Sequence, residues 1–410
     1  MFRLSRLIGI AFSLLLLAAL AVIAIRDAET GSGVAPDLRN GRIFIQDNLW
    51  STKTHQYAVW VDEAGTPYAG RRQRGSDEWR IVDLGRLDRN PLAAPTADDQ
   101  HNVYAIGTDS AGGVHIAGNM HGDPLRYVTS DARLHGFRRT PAPDGASEIN
   151  YPAFVGLPDG SLLFWRREGL AGDSVAAFDA LRPGDRTWRP QQTVIDGRET
   201  AESAYLHRIA VDGSTGTIHM VFVWRTERGI ENNNDVGYVR STDGGRTWER
   251  SDGVQVQLPV THATAETVVD TTSQDSGLLN AGGLTVDADG RPHGLIAYQR
   301  PIGEPAVVHV WLDDGTWQRE QLEDLDLSGR PSIVGTPDGR VWLLGVRRGT
   351  VVAVDISSDR DRLPTREIAD VPAGWEVTYD TQALALHGTV ELLIPIGDEP
   401  HVVVADLSGS

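Results

Sequence analysis

From residue 41 onward, apolar positions follow the pattern of short β-strands, and no long segment shows a helical period. Runs such as "SLLFWR" at 161–166 and "IHMVFVW" at 218–224 are rich in aromatic and β-branched residues and are bounded by Gly, Asp or Pro. This pattern is typical of strands separated by tight turns. We therefore predict that residues 41–410 form one all-β domain.

One turn recurs along this domain: a tetrapeptide resembling D-x-x-G, followed by a strand. It has seven copies, and their glycines are Gly65, Gly112, Gly160, Gly216, Gly290, Gly339 and Gly388. Most copies lie about fifty residues apart, with one long insertion in the fourth unit, a period typical of β-propellers. Neighbouring sheets of a propeller bury each other's faces, which a single sheet cannot do. The seven copies predict a seven-bladed β-propeller.

The fourth unit also contains "STDGGRTW" at Ser241–Trp248, which fits the pattern S-x-D-x-G-x-x-W, known as an Asp box. Such a box is a hairpin turn between outer strands of a blade. We expect Asp243 to bond the turn backbone and Trp248 to wedge between strands. The box is therefore predicted to be structural, with no part in chemistry.

The N-terminus predicts export. Arg3 and Arg6 precede an uncharged apolar run, Leu7 to Ile25, longer than a typical signal-peptide core and close to the length of a membrane span. The positive flank sends the following chain across the membrane. We predict that residues 1–26 are a signal peptide or an uncleaved anchor and that 27–40 are a linker. The domain would then be extracytoplasmic, either secreted, periplasmic or anchored to the membrane.

Composition excludes several functions. The chain has 410 residues, a net charge of -18 and no cysteine. Nucleic acid is an unsuitable partner because its phosphates require a basic surface. Without cysteine there is no disulfide, thiolate metal site or cysteine nucleophile. A local arginine pocket could still bind an acidic polysaccharide. We predict no cofactor or metal, and a monomer.

The repeat separates the histidines into two groups. His115, His219 and His293 each lie three residues after a turn glycine, so we assign them to packing within the blades. His101 and His121 have no counterparts in other units, and His121 lies beside Gly122 at a strand end. We expect both to lie near one mouth of the central channel, where loops of all blades converge.

The next units add polar side chains near the starts and ends of their strands: Tyr151, Arg166, Arg167, Tyr205, His207 and Arg208. The chain lacks a G-x-S-x-G elbow and an H-E-x-x-H helix, and no carboxylate pair stands out for glycoside hydrolysis. Arginine, tyrosine and histidine suit β-elimination at a uronic acid. Arginine binds the carboxylate, and histidine and tyrosine transfer protons.

The segments "HNVYAIGTDSAGGVHIAGNMHGD", "NYPAF", "LLFWRREGLAGDS" and "AYLHRI" together resemble the BNR/Asp-box repeat proteins that include the ulvan lyases, over about residues 45–320. This resemblance implies a polysaccharide lyase that cleaves rhamnosyl-glucuronate linkages. It implies that the lyase site consists of His101, His121, Tyr151 and Arg167, with Tyr205 contacting substrate. Some family members hold a structural metal partly through cysteines, which this chain cannot do.

Three further residues are predicted as substrate contacts: Asn119, Arg166 and His207. Arg166 precedes Arg167 where family members often have an aromatic residue, so the arginine that faces the pocket stays open, as do Arg126 and Tyr127. Two other functions also stay open. One is a non-catalytic, membrane-tethered propeller that binds a glycan or protein. The other is a glycoside hydrolase or sialidase-like enzyme, although the sialidase arginine set is not evident.

Overall fold

The computed structural model describes residues 48–62, 65–89, 91–92, 101, 103–143, 147–269, 276–299, 306–357, 363–372, 374–396 and 399–407, without the side chains of residues 191, 395–396 and 399–400. The predicted leader at 1–26 and linker at 27–40 lie outside these ranges. Within them, no helix is both long enough and apolar enough to cross a membrane.

The described residues form antiparallel sheets that follow one another along the chain, as in a β-propeller. The first sheet contains β1 (Leu49–Ser51), β2 (His55–Val61), β3 (Pro67–Gln73) and β4 (Arg80–Asp83). The second contains β5 (Tyr104–Thr108), β6 (Val114–Gly118) and β8 (Tyr127–Ser130). The third contains β7 (His121–Asp123), β9 (Ile149–Gly156), β10 (Leu162–Leu170), β11 (Asp173–Leu181) and β12 (Arg189–Asp196).

The fourth sheet contains β13 (Ser203–Val211), β14 (Ile218–Arg225), β15 (Asn233–Ser241), β16 (Trp248–Glu249), β17 (Gln255–Val256) and β18 (Glu266–Val269). The fifth contains β19 (Leu284–Val286), β20 (Pro292–Tyr298), β21 (Ala306–Asp313) and β22 (Thr316–Leu322). The sixth contains β23 (Ser328–Gly335), β24 (Val341–Arg347), β25 (Thr350–Asp355) and β26 (Thr365–Asp370). Last come the helix α1 (Thr381–His387) and the pair β27 (Val390–Ile396) and β28 (Glu399–Ala405).

The predicted count of seven blades is wrong. Six repeats form blades of three or more strands within the described residues, and the seventh supplies only the pair β27–β28. In the first six repeats the turn glycine has a positive φ and closes a hairpin turn, whereas Gly388, at φ 67°, caps the end of α1. Helix replaces strand here because "TQALALH" is rich in helix-forming Ala and Leu and is preceded by a good N-cap, Asp380.

Asp380 connects this helix to the first blade. Its carboxylate accepts hydrogen bonds from the backbone N–H groups of Gln382 and Ala383, both at 2.9 Å. The side chain is completely buried, and this burial raises the pKa of the Asp380 carboxyl to about 7. Helix α1 contacts β1 as well as β27. The last repeat therefore joins the first blade through a helix.

The Asp box has the predicted structural role. The Asp243 carboxylate accepts hydrogen bonds from the N–H groups of Arg246 and Thr247, both at 2.9 Å. Trp248 is buried and stacks on Phe178 of the preceding blade, with ring centroids 5.9 Å apart. Full burial of such a side chain contributes on the order of 2–3 kcal/mol. The box therefore helps to pack the third and fourth blades together.

The three repeat-related histidines are packing residues, as predicted. All three are buried. Nδ1 of His115 lies 2.5 Å from the Tyr127 hydroxyl, and Nδ1 of His219 lies 2.7 Å from the Tyr238 hydroxyl. Nδ1 of His293 lies 2.9 Å from Nε2 of His309. Each imidazole bonds to a side chain on a neighbouring strand of its own blade, which accounts for its recurrence.

Candidate functional site

The predicted site residues gather where the inner strands of three successive blades begin. His101 precedes β5 and His121 opens β7. Tyr151 lies on β9, Arg167 on β10 and Tyr205 on β13. β7 leaves the second blade and pairs with the inner strand of the third, with His121 opposite Asn150. This pairing brings the histidines of the second blade against the tyrosine of the third.

Three aromatic rings meet at this point. The imidazoles of His101 and His121 stack with centroids 4.3 Å apart and an interplanar angle of 17°. The Tyr151 ring lies 6.2 Å from the His101 ring and 6.1 Å from the His121 ring, centroid to centroid. His121 is exposed, and His101 and Tyr151 are partly buried. Groups that can transfer protons are therefore close together at a solvent-accessible position.

The backbone of Tyr151 is unusual. Its φ is 51°, in the left-handed region that non-glycine residues rarely adopt. The β9–β10 register shifts here, so that Ala153 pairs with Trp165 and Asn150 pairs with Arg167. Such a bulge turns a side chain out of the regular alternation, and such strain often occurs at functional sites. The bulge directs Tyr151 toward the two histidines.

The structure separates Arg166 from Arg167. The Arg166 guanidinium donates to Glu168 at 2.6 Å and to the buried Asp179 at 2.7 Å. It is occupied by this ion pair, and the prediction that Arg166 contacts substrate is not supported. Arg167 is only 4% exposed, yet its Nε and Nη1 have no hydrogen-bond partner among the residues that the structure describes. A buried guanidinium in this state is costly unless an anion binds to it.

A second arginine, which sequence reasoning missed, lies beside Arg167. Cζ of Arg167 lies 4.3 Å and Cζ of Arg225 3.8 Å from the centroid of the Tyr205 ring. Burial lowers the pKa of Arg225, Arg167 lowers it further, and Tyr205 opposes both effects. The available signal was that arginines end or nearly end the second strand in two successive repeats, "FWRR" and "VWR". The site therefore contains two buried guanidinium groups.

His207 and Asn119 do not reach the site. His207 is completely buried, which lowers the pKa of its imidazole to about 4 and keeps it neutral. It lies where the β13–β14 register shifts and packs against Gly282. Asn119 is also buried, and its amide donates to the Leu92 carbonyl at 2.6 Å. Both side chains pack inside the protein, and the predictions that they contact substrate are not supported.

Arg126 and Tyr127, which the sequence left open, support the loop of His121. Arg126 donates to the carbonyl of Asn119 and pairs with Asp123 at 3.3 Å. The Tyr127 hydroxyl bonds to His115 and accepts a hydrogen bond from Trp188 at 3.2 Å. Arg126 therefore holds the segment that carries His121, and Tyr127 belongs to the packing of the blade.

Another histidine, His262, connects three segments of the fourth blade. The His262 imidazole lies 3.0 Å from Glu202 through Nδ1 and 3.0 Å from Asp235 through Nε2. It stacks on the ring of the buried Trp224 at 5.1 Å. The hydrogen bond to Glu202 is the main cause that raises the pKa of His262. The insertion that carries His262 is thereby fixed beside the start of β13.

A small and a large cavity lie between the blades in the described part of the chain. The small one, of about 20 Å³, is lined by Tyr151, Arg167, Tyr205 and Asn280, among others. It has space for about one water molecule or one carboxylate oxygen. The large one, of about 780 Å³, lies where the inner strands end and includes α1. The predicted catalytic residues thus lie at the opposite mouth from the large cavity. No cluster of metal-ligating side chains occurs in the described part of the chain.

Residues 55–325 match the model of a family described as "BNR repeat-containing family member". No curated protein matches the chain in sequence. A polysaccharide lyase, Uly1, shares its fold with a TM-score of 0.65 and 14% identity, over 88% of this chain and 89% of that one. An ulvan lyase of family PL25 bound to -[GlcA(1-4)Rha3S]- gives 0.69 and 13%, over 92% and 94%. These similarities show a common fold.

Proposed function

The chain belongs to the BNR repeat-containing family, and from this premise we propose that it is a polysaccharide lyase acting on a uronic-acid-containing glycan. The observation that carries the proposal is the buried guanidinium of Arg167. Its Nε and Nη1 have no partner in the described residues, and it lies beside Tyr151 with Cζ 5.2 Å from the ring centroid. A carboxylate binds such a group in a bidentate manner.

The reaction follows from this placement. Arg167 neutralises the C6 carboxylate of the uronate, which makes the C5 proton more acidic. A base removes that proton, the C4–O4 bond breaks with a double bond forming between C4 and C5, and an acid protonates the departing oxygen. His101, His121 and Tyr151 share the base and acid roles, because their three rings lie together and Tyr151 lies beside Arg167. Tyr205 completes the pocket around the carboxylate.

Two findings support this chemistry over an unspecific surface role. The strained backbone of Tyr151 directs its ring toward the histidines, which packing alone does not require. The solved structures with the same fold include polysaccharide lyases, one of them bound to a glucuronate-rhamnose ligand. Their identity to this chain is 13–14%, so the substrate is part of the proposal.

The test is incubation of the purified protein with a panel of uronate glycans that includes ulvan, with continuous measurement of ultraviolet absorbance. We expect the absorbance of an unsaturated uronate to rise with at least one glycan. Products with saturated ends would identify a glycoside hydrolase instead. Saturable binding without any product would identify a non-catalytic glycan-binding propeller. Either result would overturn the lyase proposal.

A further inference from the structure

Arg225 has no assigned role in the proposed reaction, yet it is the more firmly held of the two guanidinium groups. Its Nε donates to Oδ1 of Asn233 at 2.6 Å, and its Nη2 donates to Oδ1 of Asn280 at 2.9 Å. Asn233 in turn donates to the Leu278 carbonyl at 2.7 Å, and the Asn280 carbonyl accepts from Arg330 at 3.0 Å. Groups from the fourth, fifth and sixth blades thus fix the orientation of Arg225.

Two of the donors of Arg225 are occupied in this way, so it is poorly placed to bind a substrate anion itself. Its guanidinium instead lies over the Tyr205 ring, with Cζ 3.8 Å from the ring centroid, and Arg167 Cζ lies 4.3 Å from the same centroid. Arg167 is the group whose Nε and Nη1 have no partner in the described residues. The firmly held arginine and the available arginine are therefore connected through one aromatic ring.

We propose that Arg225 is a positioning residue: by holding the ring of Tyr205, it orients the Arg167 guanidinium to receive the acid group of the substrate. The identity of that acid group as a uronate carboxylate rests on the proposed function. The second positive charge also has an electrostatic effect. Two buried like charges repel each other, and an incoming anion relieves this repulsion. A neutral sugar provides no such relief, so the two guanidinium groups beside Tyr205 favour acidic over neutral glycans.

Binding is measured with methyl glucuronoside, which has no glycosyl leaving group at C4, and with its neutral counterpart, methyl glucoside. We expect Arg225→Met to weaken glucuronoside binding about ten-fold, a typical loss for a charged hydrogen-bonding group, and to leave glucoside binding unchanged. Arg225→Lys keeps the charge but cannot stack or bond to both asparagines, and it should show a similar loss. Arg189→Gln, an exposed ion-pair residue on β12, is the control.

Variants of Tyr205 test whether the effect passes through the ring. Tyr205→Leu removes the ring that both guanidinium groups contact, so its loss of glucuronoside binding should match that of Arg225→Met. The double variant Tyr205→Leu/Arg225→Met should be no weaker than the single variants, because both remove the same support. Additive losses, or equal losses for the two sugars, would overturn the inference. Thermal unfolding of each variant verifies that the fold is intact.

These outcomes separate the inference from the proposed function. If the wild type binds glucuronoside but yields no unsaturated product from any glycan, the lyase proposal fails, and the variants still decide the role of Arg225. If Arg225→Met and Arg225→Lys retain the wild-type preference for glucuronoside in an active lyase, the positioning role alone fails. A wild-type protein that binds no uronate overturns both.

Discussion

The imidazoles of His101 and His121 stack at 4.3 Å although a strand pair separates them along the chain. The cause is β7, which carries His121 away from its own blade to pair with β9 beside Tyr151. Because β7 pairs with the next blade, the two histidines that lie outside the repeat become neighbours at the channel mouth.

The first prediction concerns these rings. Replacing His121 by Ala should lower kcat/KM for uronate elimination by roughly 10²–10⁴-fold, the usual contribution of a general acid or base. The free energy of unfolding should change little, because His121 is exposed. His135→Ala, on an exposed turn of the second blade, is the matched control and should retain full activity. Comparable losses in both variants would show that His121 has no specific role.

The second prediction contrasts the two adjacent arginines. Arg166→Met leaves the buried Asp179 without its ion-pair partner and should lower the free energy of unfolding by about 3–5 kcal/mol. Arg167→Met removes a buried charge without a carboxylate partner, so stability should stay equal or rise while uronate elimination disappears. Urea unfolding and the ultraviolet assay measure the two effects. If Arg167→Met lowered the free energy of unfolding more than Arg166→Met, this assignment would be contradicted.

The repeat predicted much of this molecule because it is a local signal. The turn glycines identified the blades. His115 occupies a position that recurs in other repeats, whereas His121 does not, and this difference distinguished the packing residue from the site residue. The seventh repeat was misassigned because its glycine spacing is regular, whereas the preceding "TQALALH" has the composition of a helix. The choice between Arg166 and Arg167 depends on the bulge at Tyr151, and a bulge is not visible in strand alternation. Asn119 and His207 were indistinguishable from site residues because burial depends on contacts between blades.

The third prediction uses the backbone of Tyr151. At a φ of 51°, a side chain costs roughly 1–2 kcal/mol that glycine avoids. Tyr151→Gly should therefore be more stable than Tyr151→Ala by about 1 kcal/mol, the reverse of the usual order in strands. Both variants should lack elimination activity. Denaturant unfolding of the pair gives the comparison directly, and a more stable Ala variant would mean that the backbone is not strained in solution.

The fourth prediction concerns Asp380. Burial raises the pKa of its carboxyl to about 7 in the folded state, above the unfolded value near 4. The folded state therefore binds the proton more tightly, and this contribution to stability is lost as the pH rises from about 4 to 7. Asn is also a good N-cap but carries no charge. As the pH rises from 4 to 8, the stability of Asp380→Asn relative to wild type should increase by about 4 kcal/mol. Parallel pH dependences of the two proteins would contradict this.

The fifth prediction concerns His262, whose position between Glu202 and Asp235 raises the pKa of its imidazole. Because the folded pKa lies above the unfolded value near 6.5, its stabilising contribution is complete below pH 6.5 and is lost as the pH rises through the folded pKa. His262→Gln should therefore be less stable than wild type by about 1 kcal/mol near pH 6, a value reduced by partial exposure. The difference should shrink above pH 8. Chemical denaturation of both proteins at pH 6, 7 and 9 measures it, and a gap that widens toward pH 9 would show that the imidazole is not charged between its two carboxylates.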